Sequence, residues 1–202
     1  MKKTNTKLNK SITSILVASL LSIAFTGCGD KTPEPQLTKL DERCHIDSVL
    51  APEWVCGNSK IEGTMTAVGS AQFSKLWEGF SRREAISNSR SNLAHQIKTV
   101  VKDKVETFTR STGIGEAEVA DKVSTQVSKQ VAKVTLNGSK QMKYWQSPKT
   151  KDIYVLIGVA QSSINDVVKK QVLSSYKNDD SLWQQFQSKH ALENLEKEFP
   201  TN

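Results

Sequence analysis

From about Phe73 to Arg110 the apolar residues return at helical spacing: Phe80, Ile86, Leu93, Ile97, Val100-Val101, Val105 and Phe108. This run constrains the fold more than any other feature. It predicts one long amphipathic helix that must bury a stripe along its whole length. Ala85 and Ser89, four apart, put small residues on the stripe and predict close packing against a sheet. Ser111-Thr112-Gly113-Ile114-Gly115 then breaks the pattern, with glycines suited to ending a helix and turning. From Glu116 to about Lys133, Val119, Val123, Val127 and Val131 recur at i,i+4 and predict a second amphipathic helix. Valine is a poor helix former in isolation, so burial must hold this helix in place. That burial is either inside the chain or against a neighbour, which makes the stripe a candidate assembly surface.

A helix pair of this kind needs a partner layer. Ile153-Tyr154-Val155-Leu156-Ile157-Gly158-Val159 is a near-continuous apolar run, as expected of a central strand. Ser147 to Asp152 has the composition of a turn, and a strand-like segment from Val134 through Leu136 to Tyr144-Trp145 precedes it, giving an antiparallel hairpin. Ile61 to Ser70 forms a first strand, after which Ser70 could cap the long helix. Ser163-Ile164-Asn165-Asp166 matches a capping box that opens a helix through Val167, Val168, Val172 and Leu173. Asn178-Asp179-Asp180 breaks it, and Asp180 caps a last helix with Leu182, Phe186, Leu192, Leu195 and Phe199. The predicted order β-α-α-β-β-α-α is an α+β domain: a small antiparallel sheet of three strands packed by helices.

The N-terminus predicts where this domain resides. Residues 1–10 are polar with Lys2, Lys3, Lys7 and Lys10, and residues 12–25 are mostly apolar. A basic segment followed by a short apolar one reads as a secretory signal over residues 1–27, too short to span a bilayer comfortably. The apolar run ends in Phe25-Thr26-Gly27-Cys28, which resembles a bacterial lipobox. Such a motif implies cleavage before Cys28 and its acylation, a membrane anchor of two or more chains that meets the requirement for stable attachment. Asp30 lies one place beyond the position at which an acid resembles an inner-membrane retention signal, so the outer membrane is the expected destination. The whole chain carries +7, but without the first 27 residues 24 cations face 21 acids, which is about +3 and no basis for binding nucleic acid.

Residues 28–50 read as the lipidated cysteine and a polar, proline-containing tether, residues 51–176 as the α+β domain and 177–202 as a C-terminal helix. With Cys28 assigned to lipid, Cys44 and Cys56 remain, an even pair in an oxidising compartment and hence a candidate disulfide. The rival reading is a metal site of Cys44, His45 and Cys56, which lacks a nearby fourth ligand.

No catalytic signature stands out. The histidines are His45, His95 and His190; Ser70 in Ala-Val-Gly-Ser-Ala lacks the second glycine of a nucleophile elbow. No H-E-x-x-H, phosphate-binding loop or dinucleotide fingerprint occurs, so neither a cofactor nor a metal is expected. Arg82-Arg83 with Arg90 form either a basic patch for anionic lipid or glycan, or a solvated helix face.

Pro52-Glu53-Trp54-Val55, Ala67-Val68-Gly69-Ser70-Ala71, the series Ala85, Ser89-Arg90, Leu93-Ala94 and Ile97, then Thr135-Leu136, Gly138, Trp145 and Tyr154-Val155-Leu156 occur in that order behind the lipobox. Together they resemble the twenty-kilodalton membrane-associated lipoprotein antigens, a family that includes flagellar lipoproteins of the FlgP type. The resemblance implies an outer-membrane-associated lipoprotein, generally without enzymatic activity. In the flagellar members it implies a ring or disk around the motor. Two functions follow: a structural lipoprotein that associates with itself or with envelope proteins, or a monomeric module binding peptidoglycan, a small ligand or a partner protein.

Overall fold

The computed structural model describes residues 41–75 and 77–201. The signal segment, Cys28 and the first part of the tether lie outside the described residues. The elements are β1 (His45–Ile46), β2 (Val49–Leu50), β3 (Thr64–Ala71), α1 (Glu78–Thr112), α2 (Ala117–Thr135), β4 (Lys140–Gln146), β5 (Ile153–Ala160), α3 (Gln161–Lys177), α4 (Asp180–Ser188) and α5 (Ala191–Glu198).

The class is α+β as expected, with an antiparallel three-stranded sheet in the order β3-β5-β4. The apolar run forms β5, the central strand, paired with β3 from Thr64↔Ala160 to Ala71↔Ile153 and with β4 in a hairpin. Ile153, Val155, Ile157 and Val159 point to the helical layer, where they join Leu93, Ile97, Val101 and Val105 of α1 in the main core. Leu156 points to the other face and a second, smaller cluster.

The element order is richer than expected. A two-residue hairpin, β1-β2, precedes β3, and the C-terminal segment is two helices, broken where His190 takes the left-handed conformation at φ 52°. Several boundaries also move. Ser70 does not cap α1; it lies inside β3 opposite Tyr154, and the helix opens at Glu78, where the Ser81 hydroxyl accepts the Ser74 N–H at 3.0 Å. Val134 and Thr135 finish α2 instead of starting a strand, because buried Thr135 extends the Val127–Val131 spacing by one turn and its hydroxyl donates to the Val131 carbonyl at 2.7 Å. Ser163 is not a cap either. Helix α3 starts at Gln161 directly from β5, and its first N–H is held by the Gly63 carbonyl at 2.8 Å, which extends the β3–β5 ladder. Asp179, not Asp180, caps α4 by accepting the Leu182 N–H at 3.0 Å.

Helix α1 has 35 residues, roughly 50 Å at the α-helical rise, and outruns the eight-residue strands it covers. Its first half packs on β3. Its second half carries α2 and the C-terminal helices, with Phe108 against Phe186 and the Thr109 hydroxyl 2.8 Å from the Tyr176 hydroxyl. Gly113 at φ 64° ends α1 and Gly115 at φ 68° completes the turn into α2, conformations that cost glycine little. No helix among the described residues is long and apolar enough to cross a membrane.

Candidate functional site

The described chain begins at Asp41, where Arg43 donates to both carboxylate oxygens at 2.8 and 2.6 Å and holds the Asp41 pKa down at about 2. One residue later the chain is fixed to the domain. Cys44 is buried and bonded to Cys56, with the Cα atoms 5.8 Å apart. Both sulfurs are thereby used, which removes the Cys44–His45–Cys56 metal reading; no group of three or more His, Cys, Asp or Glu suited to a metal is found among the described residues.

The disulfide braces a module that covers the sheet's second face. Trp54 and Val55, on a 3-10 turn ended by Gly57 at φ 93°, pack with Cys44 and Ala51 onto Leu156, flanked by Val68, Trp145 and Tyr154. The Trp145 and Tyr154 rings lie 5.3 Å apart. Residues 41–50, within the segment expected as tether, therefore carry the β1-β2 hairpin and one end of this brace.

On the opposite face α1 comes close enough to β3 to exclude side chains. A Cβ at Gly69 would overlap the Ser89 backbone nitrogen and sit 2.6 Å from the Ala85 carbonyl oxygen. The Ser89 hydroxyl donates to the Ala67 carbonyl at 2.6 Å. The small-residue strip read at Ala85 and Ser89 is this contact. Two further residues, not singled out by the sequence reading, act on the same strand. Because Gln161 N–H bonds Gly63 O, the odd-numbered residues of β3 bond β5, and the carbonyls of Val68 and Ser70 point to the free edge. Asn92 and Asn88 donate to those two carbonyls, each at 2.8 Å. The other edge, β4, is interrupted by a bulge between Gln141 and Lys143 and carries exposed Lys140 and Lys143. Both edges thus bear features that discourage pairing with another strand. The available signal for Asn88 and Asn92 was two poor helix formers one turn apart inside a long helix.

The valine stripe is packed inside the chain. Val123, Val127 and Val131 belong to the main core, Val127 at 1% exposure, and Val119 is half-buried against it. As a surface free to meet a neighbour the stripe must be withdrawn: the face that would carry an assembly contact is filled by α1 and α3. Of the arginines, Arg82 lies 5.5 Å over the Tyr144 ring and Arg90 donates to the Ser139 hydroxyl at 3.3 Å, which joins the start of α1 to β4.

Three histidines lie on three separate elements: His45 on β1, His95 in mid-α1 and His190 between α4 and α5. A mainly apolar cleft of about 420 Å³ lies between α3, α4 and α5, lined by Leu173, Lys177, Trp183, Phe186, His190 and Leu192. Trp183 stacks on Phe186 with ring centres 5.3 Å apart, and Lys177 Nζ sits 5.1 Å over the Trp183 ring. This aromatic cleft can hold a flat or apolar group, with a cation at its rim.

An antiparallel sheet crossed by one long helix, its second face locked by a disulfide module near the start of the described chain, defines a compact α+β domain with no assembled catalytic constellation among the residues described. The LPP20 lipoprotein family model matches residues 52–160, more than half of the chain, and the chain belongs to that family. The match runs from the start of the disulfide-braced turn to the end of β5, so the cleft of α3–α5 lies outside it. The family is one of envelope lipoproteins and is not a known enzyme family. No curated protein matches the chain.

Proposed function

We propose that this protein is a lipoprotein anchored in the outer membrane through acylated Cys28, and that its domain has a structural role, making contacts with itself or with other envelope proteins through its surface. The observation that carries the reading is the short path from the lipobox to the locked module. Twelve residues separate Cys28 from Asp41, and the chain is clamped at Cys44 three residues further on. A domain so tethered is confined to a thin layer at the membrane, where weak contacts gain effective concentration. A flagellar role, with a ring or disk, is one form of this reading. Since the valine stripe is core, the contacts must come from other faces. Separation of inner and outer membranes on a density gradient tests the location: the protein should follow the outer membrane, and Cys28→Ser should move it out of that fraction.

A second reading, a binding module, draws support from the stacked Trp183–Phe186 pair in the α3–α5 cleft. Sizing by light scattering separates the two: concentration-dependent association favours the structural role, and a strict monomer favours the module.

A further inference from the structure

We propose that the end of the domain at which β3 leaves the sheet for α1 docks on the lipid bilayer, inserting Trp77 and Phe80 at the headgroup boundary. Three segments meet there. The β4–β5 turn reaches the β1-β2 tip through Lys149 Nζ, which donates to the Asp47 carbonyl at 3.1 Å. The same turn holds the β3–α1 link through Asp152, whose carboxylate accepts the Phe73 N–H at 3.0 Å.

This end carries apolar groups that the core does not use. Trp77 is 69% exposed, Phe80 53% and Leu50, beside the β1-β2 tip, 52%. Large apolar side chains left open together mark an interaction surface, and tryptophan in particular favours the boundary where one ring edge is wet and the other apolar. The cations of this end are Lys75, Arg82, Arg83, Lys149 and Lys151. The acids of the same three segments are Asp47, Glu78, Glu84 and Asp152, the last already engaged with the Phe73 N–H. A slight positive excess around exposed aromatic rings suits phosphate headgroups above an acyl layer.

The path of the chain favours a bilayer over other occupants. The described chain enters at Asp41 and reaches the β1-β2 tip within six residues. From Cys28 to Asp41 is at most roughly 45 Å of fully extended backbone. The proposal rests on the anchor reading for this proximity, although the surface itself does not need the anchor. Bilayer contact at this end leaves both the α3–α5 cleft and the outer face of α1 free for partners.

The full chain, purified from membranes and reconstituted into phosphatidylethanolamine–phosphatidylglycerol vesicles with brominated acyl chains, tests the proposal by tryptophan fluorescence. Bromine quenches only nearby rings; Trp54 is buried and Trp145 is half-buried against Tyr154, so Trp77 should supply most of the quenched emission. Trp77→Phe should abolish most of the quenching, and Trp183→Phe should leave it. Trp77→Phe should retain the wild-type melting temperature. Protein that floats with the vesicles but shows no quenching, or loses quenching with Trp183→Phe alone, overturns the docking surface and leaves the anchor standing. Emission of Trp77 that shifts with protein concentration and ignores brominated lipid assigns the patch to a second copy and also overturns it. Quenching by a chain whose N-terminal peptide carries no acyl group supports the surface and removes the anchor.

Discussion

Gly69 on β3 and Ser89 on α1 meet backbone to backbone, so the strand and helix are held at a separation that leaves no room for a Cβ on the strand. The hydroxyl of Ser89 closes the contact on the Ala67 carbonyl. Gly69→Ala must push α1 away from β3 along the first half of the helix. It should destabilise by about 1–3 kcal/mol, as overpacking does. Ser89→Ala keeps the size and loses one buried hydrogen bond, at about 1 kcal/mol. Urea titrations of the two variants should rank them in that order.

Val127→Lys places an ammonium group among Val123, Val131 and the α1 stripe, and no Asp or Glu is buried among the described residues to pair with it. The expected loss is about 3 kcal/mol or more, read as a lower urea midpoint. Lys133→Glu, on the exposed side of the same helix, should change stability by less than about 0.5 kcal/mol. A well-folded Val127→Lys protein with altered association would contradict the placement of the stripe in the core.

Reduction of Cys44–Cys56 should loosen the second face of the sheet without dissolving the main core. The bridge spans a sequence separation of 12, worth about 3 kcal/mol on the chain-entropy argument. Cys44→Ser with Cys56→Ser should lower the melting temperature as much as reductant does. Hydrogen exchange should rise in residues 44–56 and change little in β5.

Burial of the Tyr176 hydroxyl raises its pKa above the usual 10, while its hydrogen bond with Thr109 acts in the opposite sense. The folded state therefore holds this proton more tightly than the unfolded chain does. The associated stability is complete below about pH 10 and is lost as pH rises through the raised folded value. Tyr176→Phe should flatten that alkaline decline. At neutral pH it should cost about 1 kcal/mol, limited because Thr109 still donates to the Val105 carbonyl. Denaturant midpoints measured on both sides of pH 10 give the comparison.

Much of the fold was legible because its largest signals are periodic. The α1 stripe, the valine spacing of α2 and the apolar run of β5 each state a period and a buried face, and Ala85 with Ser89 marked the close approach. Boundaries were less legible where two local codes compete. Val134, Thr135 and Leu136 read as a strand by residue type, yet the buried Thr135 position continued the helix. Ser70 and Ser163 have the chemistry of caps, but Ser70 lies inside β3 opposite Tyr154, and the Gly63 carbonyl starts α3 two residues ahead of Ser163, at Gln161. The β1-β2 hairpin was hidden because two-residue strands carry no period, and because Asp47 and Ser48 take positive φ without glycine. Of the candidate site, the Cys44–Cys56 pair was legible from cysteine parity. The valine stripe was legible as apolar but not as core, since periodicity names a buried face without saying what buries it. Asn88, Asn92 and the loop end around Trp77 needed the register of β3 and the meeting of three segments, which no local pattern contains.

The proposed attachment of this domain to a membrane by lipid on Cys28 is open to mass spectrometry of the N-terminal peptide from the membrane fraction. The expected peptide begins at Cys28 and carries a diacylglyceryl group, with or without a further amide-linked chain. A mature N-terminus at another residue, or an unmodified Cys28 thiol in membrane-bound protein, would contradict it.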